Sequence, residues 1–397
     1  MRKIVRTVSS LVALALLAAC DRAPPLTHDA YIWQRQWTPG LRDAIAASND
    51  LVRDWRVLAA QADRDGRFHV FTPDLPVQGG RPAIAVVRID GRLARFDTDE
   101  LIGHIDEVRR RWPHMAGIEI DYDCPTSRLP AYTTFLRQLK DRLGATPLSI
   151  TALPTWLGSS NLDALLAVPD EAVLQVHAVQ APQAGLFDPD VAAGWITDFS
   201  AHTRKPFRVA LPTYGSRVSW NADGSLLAVE SESAALASGA VASELYAAPS
   251  TVLAFVQRLE AHRPARLGGL VWFRLPTPED TRAWSLATWR GVVTGHVDTQ
   301  PVTVSLNTPT ADGPSDIVIE NPGGMDVEAP SRVALPAGCT VADGIDGYAL
   351  RRTGDGLSLV AVQARPLPAH ASRPIGWARC APGTTLSLSS HQGKPVS

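Results

Sequence analysis

Apolar and polar positions follow two different rhythms along the chain, and the change between them falls near residue 300. Before it, short apolar runs alternate with longer stretches whose apolar residues recur every three to four positions, the patterns of buried strands and amphipathic helices. The strand-like runs are Tyr31 to Trp37, Arg56 to Gln61, Ala83 to Asp90, Gly117 to Asp123, Pro147 to Leu153, Val173 to Val179, Phe207 to Tyr214 and Leu267 to Leu275. Helix signals lie between them: Thr98 leads into Asp99 to Trp112, and Leu129 to Leu143 ends at Gly144. Eight strands, each followed by a helical segment over about 250 residues, predict an α/β fold, a closed (β/α)8 TIM barrel with its working groups at the C-terminal ends of the strands. An open doubly wound sheet is the competing fold. No Gly-x-Gly-x-x-Gly or Gly-x-x-x-x-Gly-Lys loop follows any strand to hold that sheet's usual ligand.

The seventh connection is the longest, with more than thirty residues between Tyr214 and a helix beginning near Ser250. Within it, Ser219 to Ser225 reads as a hairpin turn flanked by apolar alternation. Trp220 either lines a cleft there or seals the loop onto the barrel. Beyond Val302 the helical rhythm stops. Val302 to Leu306, Asp316 to Glu320, Arg332 to Leu335, Tyr348 to Arg352, Leu357 to Gln363 and Ile375 to Cys380 are short strands separated by Gly, Pro, Asn and Asp, the signature of a small β-sandwich. The expected layout is therefore a leader over 1–19, a linker over 20–27, a barrel over 28–296 and an accessory β domain over 297–397.

The chain has 397 residues, 45% hydrophobic and 20% charged, which supplies ample material for a core. Thirty-eight basic against forty acidic residues give a formal net charge of -2, so no basic field speaks for nucleic acid. Arg2, Lys3 and Arg6 precede the apolar stretch Leu11 to Ala19, which is too short for a membrane span and has the layout of a secretory signal. Leu17-Ala18-Ala19-Cys20 resembles the lipobox of bacterial lipoproteins, which implies acylation of Cys20 and a membrane-anchored protein on the periplasmic face. Asp21 resembles the residue that retains such proteins in the inner membrane, with the outer membrane as the alternative. In that oxidising compartment Cys339 and Cys380 are expected to pair. No Cys-x-x-Cys or His-x-x-x-His spacing points to a metal, and no cofactor is expected.

The candidate chemistry lies in Gly117-Ile118-Glu119-Ile120-Asp121-Tyr122-Asp123. Alternation puts Ile118, Ile120 and Tyr122 on one face of a strand and Glu119, Asp121 and Asp123 on the other. Such a row of carboxylates raises at least one pKa and costs stability, which points to a use such as general acid chemistry or cation binding rather than a polar strand end facing solvent. Trp33, Arg35 and Trp37 share a face of the first strand at spacing two, and aromatic rings there suit the apolar faces of pyranose rings. Arg88 and Asp90 at the end of the third strand are expected to form an ion pair. Thr151 and Trp156 end the fifth strand, and Glu279 with Asp280 follow the eighth. Gln175 and His177 end the sixth; His177 acts on a sugar hydroxyl or a proton, or is an inward histidine held by a carboxylate.

The acidic strand resembles the fourth-strand signature of glycoside hydrolase family 18, the chitinase-like barrels, which reads Asp-Gly-x-Asp-x-Asp-x-Glu with the last Glu as proton donor. Ala116 stands in place of the first Asp, Glu119 of the second, Asp121 falls on the third, and Asp123 stands where the Glu would be. Leu211-Pro212-Thr213-Tyr214-Gly215 is similar to that family's seventh strand. Gly268-Gly269-Leu270-Val271-Trp272 is similar to its eighth, whose Trp floors the sugar site. The resemblance implies a glycoside hydrolase with Asp123 as acid, assisted by Asp121 and Glu119, and with Trp33, Trp37, Gln175, His177, Tyr214 and Trp272 around a glycan. His177-Ala178 replaces the family's sixth-strand Tyr-Asp pair, which implies a glycan other than an acetamido sugar, or a glycan-binding lipoprotein that cleaves nothing. The whole chain resembles a family of bacterial secreted proteins and lipoproteins that carries no assigned activity.

Overall fold

The computed structural model describes residues 25–71, 83–177, 186–220, 226–230, 241–307, 313–353, 356–362 and 365–388, without the side chains of 216–244 and 353. Eight parallel strands form the first body: β1 (Thr27–Ile32), β2 (Trp55–Ala62), β3 (Ile84–Ile89), β4 (Gly117–Tyr122), β5 (Leu148–Ala152), β6 (Glu171–Gln175), β7 (Phe207–Pro212) and β8 (Leu267–Phe273). Each pairs with the next, and β1 pairs with both β2 and β8, so the sheet closes as the alternation predicts. The first strand departs from expectation. It stops at Ile32 rather than Trp37, because the Trp33 N–H is taken by the Gln34 side chain (3.0 Å) instead of the ladder.

Among the described residues seven α-helices wrap the barrel: α1 (Pro39–Ala46), α2 (Thr98–Arg111), α3 (Leu129–Leu143), α4 (Leu162–Leu166), α5 (Pro189–His202), α6 (Pro249–Ala261) and α7 (Leu286–Thr294). In α2 the cap is Asp97, whose side chain accepts from the Glu100 N–H; acids fill its first turn and three arginines its last, matching the helix dipole at both ends. In the connection after β2 the described residues hold no helix. The described part of that connection is a short strand, Phe68–Val70, laid antiparallel on β2. The seventh connection holds three antiparallel strands, Gly215–Trp220, Leu226–Glu230 and Val241–Tyr246, with the first in the middle. Of the expected hairpin turn, Ser219 to Ser225, residues 221–225 lie outside the described residues, as does the Trp220 side chain, while the strands on either side pair antiparallel.

Alternation along the strands sorts side chains into two interiors. Outward residues such as Ile118, Ile120 and Tyr122 of β4 meet Leu101 and Ile105 of α2 and Tyr132, Phe135 and Leu139 of α3 in the main core. The inward residues stack in layers, as such barrels require. A lower layer near the strand starts holds Asp29, Arg56, Glu119, Ser149, Glu171 and Arg208, all joined by hydrogen bonds or ion pairs. A middle layer holds Tyr31, Leu58, Val86, Val173, Ala210 and Val271. Gly269 is required in this arrangement: a Cβ there would overlap the Arg208 guanidinium and the Thr27 carbonyl.

Beyond α7, antiparallel sheets form a separate body. One has the order β9 (Thr303–Asn307), β10 (Ser315–Glu320), β15 (Ser372–Cys380), β12 (Cys339–Gly344); the other has β11 (Arg332–Leu335), β14 (Gly356–Ala361), β13 (Tyr348–Thr353). Ile317, Ile319 and Ile375 of the first face Val333, Tyr348 and Leu359 of the second in one core, as in a sandwich. Strand β12 escapes the apolar pattern because only Cys339 on it is buried. Cys339 and Cys380 are register partners on β12 and β15 and form the expected disulfide.

Arg56 is fully buried and is ion-paired to Asp29 (2.9 Å), Glu119 and Glu171 (2.6 Å). Removing one partner from a buried network leaves uncompensated charge, at a cost of about 3–5 kcal/mol. Arg56→Met is therefore expected to lower the unfolding free energy of the full-length protein by at least about 3 kcal/mol in urea titrations. A loss below about 1 kcal/mol, the scale of a solvated pair, would show that water already screens this layer.

Candidate functional site at the barrel mouth

Strand β4 carries the acidic row inward, but its three carboxylates have different surroundings. Glu119, the deepest, is completely buried and belongs to the lower layer. It accepts from the Tyr31 hydroxyl (2.6 Å), from Ser149 Oγ (3.0 Å) and from Arg56. Burial alone pushes its carboxyl up, yet three donors converge on it, and Arg56 keeps its charge because Glu119, Asp29 and Glu171 outweigh its own burial. The charged pair is the arrangement this geometry satisfies. Glu119, expected to assist catalysis, is instead placed as a counter-ion beneath the site.

Asp121 lies one layer up and is 5% exposed. Thr151 Oγ1 donates to its Oδ1 at 2.7 Å and Gln175 Nε2 at 3.3 Å, while Oδ2 receives no hydrogen bond from the described residues. Burial, and then the charge of Asp123, push the Asp121 carboxyl up to about 7 against the pull of Arg88 and the two donors. Asp123 follows the strand at a turn closed by the Cys124 N–H to the Tyr122 carbonyl (2.8 Å). Its side chain is reachable by solvent, yet protein crowds it on most sides; that surrounding mass and Asp90 raise its pKa, opposed by Arg88. The two carboxyls thus hold protons above the usual carboxylate range as a pair. Gly91, in the loop after β3, passes so close that a Cβ there would overlap the Asp123 carbonyl.

Aromatic rings line the opposite wall. Trp33 meets Phe273 edge to face with ring centroids 5.1 Å apart, and His177 stacks on Phe273 at 5.4 Å. Tyr214 stands 5.6 Å from Phe273, and its hydroxyl lies 3.4 Å from His177 Nδ1. His177 is buried; burial lowers its pKa to about 4, so the ring is neutral, and Nε2 has no partner among the described residues. Arg88 lies over the Trp33 ring at 5.8 Å. The expected Arg88–Asp90 ion pair does not form within 4 Å among the described residues, and Asp90 instead accepts from the Arg92 N–H (2.7 Å).

Several expected site residues lie elsewhere. Trp272 points to the outer face of β8, fully buried against Trp284, with its Nε1 donating to His28 Nδ1 (3.1 Å). Phe273, the next residue, takes the inward place. Counting by two from Gly269 through Val271 gives Phe273, a signal present in the sequence but displaced by the motif resemblance. Trp37 falls beyond the end of β1 and packs on the helix-side core, and Arg35 donates to Gln61 (2.8 Å) at the surface. Trp156 is buried in the same core with its Nε1 on the Cys124 carbonyl. Asp280 pairs with Arg274 (2.9 Å), and Glu279 is exposed. Cys20 lies outside the described residues.

Among the described residues no three His, Cys, Asp or Glu side chains are grouped to hold a metal ion, and no helix is long and apolar enough to cross a membrane. A cavity of about 610 Å3 lies away from the mouth, lined by Asp106, Arg109, Trp112 and Arg142; Asp106 already pairs with both arginines.

A closed parallel barrel with two neighbouring acids facing an aromatic wall at its C-terminal mouth defines a protein of the TIM-barrel class. The chain belongs to the family described as Domain of unknown function (DUF3142), whose model matches residues 79–278. Residues 304–381 match a second model, Domain of unknown function (DUF8456). Similar solved structures include the spore cortex-lytic enzyme SleL of Bacillus cereus, at 16% identity and a TM-score of 0.46 over 68% of this chain and 74% of that one. Another is a chitinase from Chromobacterium violaceum ATCC 12472, at 14% identity and a TM-score of 0.47 over 68% of this chain and 98% of that one. SleL of Bacillus megaterium QM B1551 is 12% identical, with a TM-score of 0.48 over 70% and 75%. No curated protein matches the chain.

The raised Asp121 carboxyl makes a test of the site possible without any substrate. A carboxyl whose folded pKa exceeds its unfolded value favours the fold at low pH, and that contribution is lost as pH rises from about 4 through about 7. The difference between 3.8 and about 7, at about 1.4 kcal/mol per unit, bounds the effect at about 4 kcal/mol. Asp121→Asn should raise Tm relative to the wild type at pH 8 and much less at pH 5. Equal shifts at both values would show that Asp121 titrates normally.

Proposed function

We propose that this chain is a lipid-anchored envelope protein whose barrel cleaves a glycosidic bond of a polysaccharide or cell-envelope glycan. The observation that carries the reading is the Asp121–Asp123 pair, two carboxyls held above the usual range on one strand end at the barrel mouth. Asp123, at the rim, gives its proton to the leaving oxygen as the anomeric C–O bond breaks. Burial and Asp90 keep the proton on Asp123, and Asp121, held by Thr151 and Gln175, stabilises the positive charge at the anomeric carbon once ionised. Water adds to that carbon and its proton returns to the carboxyl pair, so the cycle closes. Trp33, Phe273 and Tyr214 offer ring faces and edges to the sugar, and neutral His177 offers a hydrogen bond to a hydroxyl.

The second reading is a glycan-binding lipoprotein that uses the same cleft without cleavage. It is favoured by the length of Asp123, which is one methylene shorter than the Glu of the family it resembles, about 1.5 Å in reach. Activity decides between the two. Asp123→Asn should abolish turnover of a glycan that the wild type binds and cleaves, with affinity nearly unchanged, and wild-type activity should fall as pH rises past about 7, where the pair loses its last proton. A bound glycan that stays intact at every pH, with or without Asp123→Asn, would leave only the binding reading.

Anchoring is proposed through a lipid on Cys20, with Asp21 favouring the inner membrane on the periplasmic side and the outer membrane as the alternative. Cys20→Ser should release the protein from membranes or leave it unprocessed. Equal retention of both forms after carbonate washing would falsify the anchor.

A further inference from the structure

Arg88 is the inward arginine whose charge the barrel does not neutralise by contact. Arg56 and Arg208 in the lower layer each touch two or more carboxylates, and Arg274 at the eighth loop pairs with Asp280. Arg88 has Asp121 as its direct register partner on the neighbouring strand, a strand spacing away and well within the reach of an arginine. Its half-buried guanidinium nonetheless turns over the Trp33 ring, and among the described residues it makes no ion pair within 4 Å and no hydrogen bond. The two neighbouring acids feel its charge, but its forked N–H donors stay unspent in a concave, aromatic-walled mouth.

We propose that Arg88 selects an acidic sugar, a hexopyranose bearing a carboxylate, which this guanidinium receives on the Trp33 side of the mouth. The proposal rests on the glycan reading of the cleft above. A planar guanidinium matches a carboxylate through two parallel N–H bonds, and a neutral hydroxyl cannot fill that fork. The aromatic ring beneath fixes the plane of the guanidinium and leaves its edge to the ligand. Asp90 and Asp123 each lie two residues further along their strands, nearer the outer rim, and disfavour an anion there. The same charges therefore orient the ligand, with its carboxylate inward beside Arg88 and its scissile bond toward Asp123. Proton transfer from Asp123 is unobstructed in this pose because the ligand carboxylate is held by another side chain.

The test measures binding, which separates it from turnover. Oligosaccharides of galacturonate, mannuronate and glucuronate, each alongside its methyl ester, are titrated calorimetrically into the full-length wild type, Arg88→Gln and Arg88→Lys. The wild type should bind at least one acid about tenfold or more tighter than its ester. Arg88→Gln should bring the two to within about twofold while leaving the affinity for the ester unchanged, which also shows that the variant is folded. Arg88→Lys, keeping the charge without the fork, should retain part of the preference. An acid preference that survives Arg88→Gln overturns the proposal, as does a wild type that binds none of the acids or fails to distinguish acid from ester. Cleavage of a neutral glycan with no acid preference would sink this inference and spare the hydrolase reading; selective binding without cleavage at any pH does the reverse.

Discussion

Everything at the mouth depends on how the barrel floor neutralises its charges. Five ionisable side chains in mutual ion-pair contact, Asp29, Arg56, Glu119, Glu171 and Arg208, occupy a layer where Asp29, Arg56 and Glu119 have no contact with water. Isolated, each of these charges would cost several kcal/mol to bury. Two guanidiniums with ten N–H donors between them meet three carboxylates and the hydroxyls of Ser149 and Thr27, which is what makes the layer tolerable. Glu171 remains partly open at the strand start and is the layer's link to solvent. This layer fixes which face of β1, β2, β4, β6 and β7 points inward, because a slip of one residue would carry a charge into the helix-side core.

The middle layer then isolates the floor from the chemistry above it. Leu58, Val86, Val173, Ala210 and Val271 fill the space between, and Tyr31 is the one polar member, with its hydroxyl directed down to Glu119. Among the described residues no cation contacts Asp121, which is held by a hydroxyl and an amide. Burial raises both carboxyls of this strand, but the lower is opposed by Arg56 and two hydroxyl donors in contact, whereas the upper is raised further by its neighbour Asp123.

Most of the fold was legible because it rests on local rhythm. The eight barrel strands, the inward row on β4, the break near residue 300 and the cysteine pair all follow from alternation, spacing and compartment. What escaped required partners distant in the chain. Nothing near Glu119 announces that Arg56, 63 residues earlier, will occupy its carboxylate. Trp37 was lost to the Gln34 side chain, which ends β1 early, a local capture that hydrophobic pattern does not register. Trp272 and Phe273 show a subtler failure: the apolar run of β8 has no polar member to mark which face is inward, and only Gly269 beneath the Arg208 guanidinium settles it.

The β domain is tied to the same end of the barrel that carries the aromatic wall. Asp326 is buried, and its carboxylate accepts from the Ser285 N–H (2.7 Å), from the hydroxyls of Ser285 and Thr288 (2.6 and 2.8 Å) and from the Ala369 N–H (2.8 Å). It thereby caps the start of α7 with an acid from another body, and it also receives the Tyr246 hydroxyl (3.3 Å) from the meander after β7. The segment it caps is in turn stitched to the seventh strand end: the Trp284 N–H donates to the Thr213 carbonyl and the Gly215 N–H to the Arg282 carbonyl. Tyr214 lies between those two bonds. One carboxylate of the β domain therefore bonds to both loops that border Tyr214 and Phe273, which fastens that domain to the segments behind the aromatic wall.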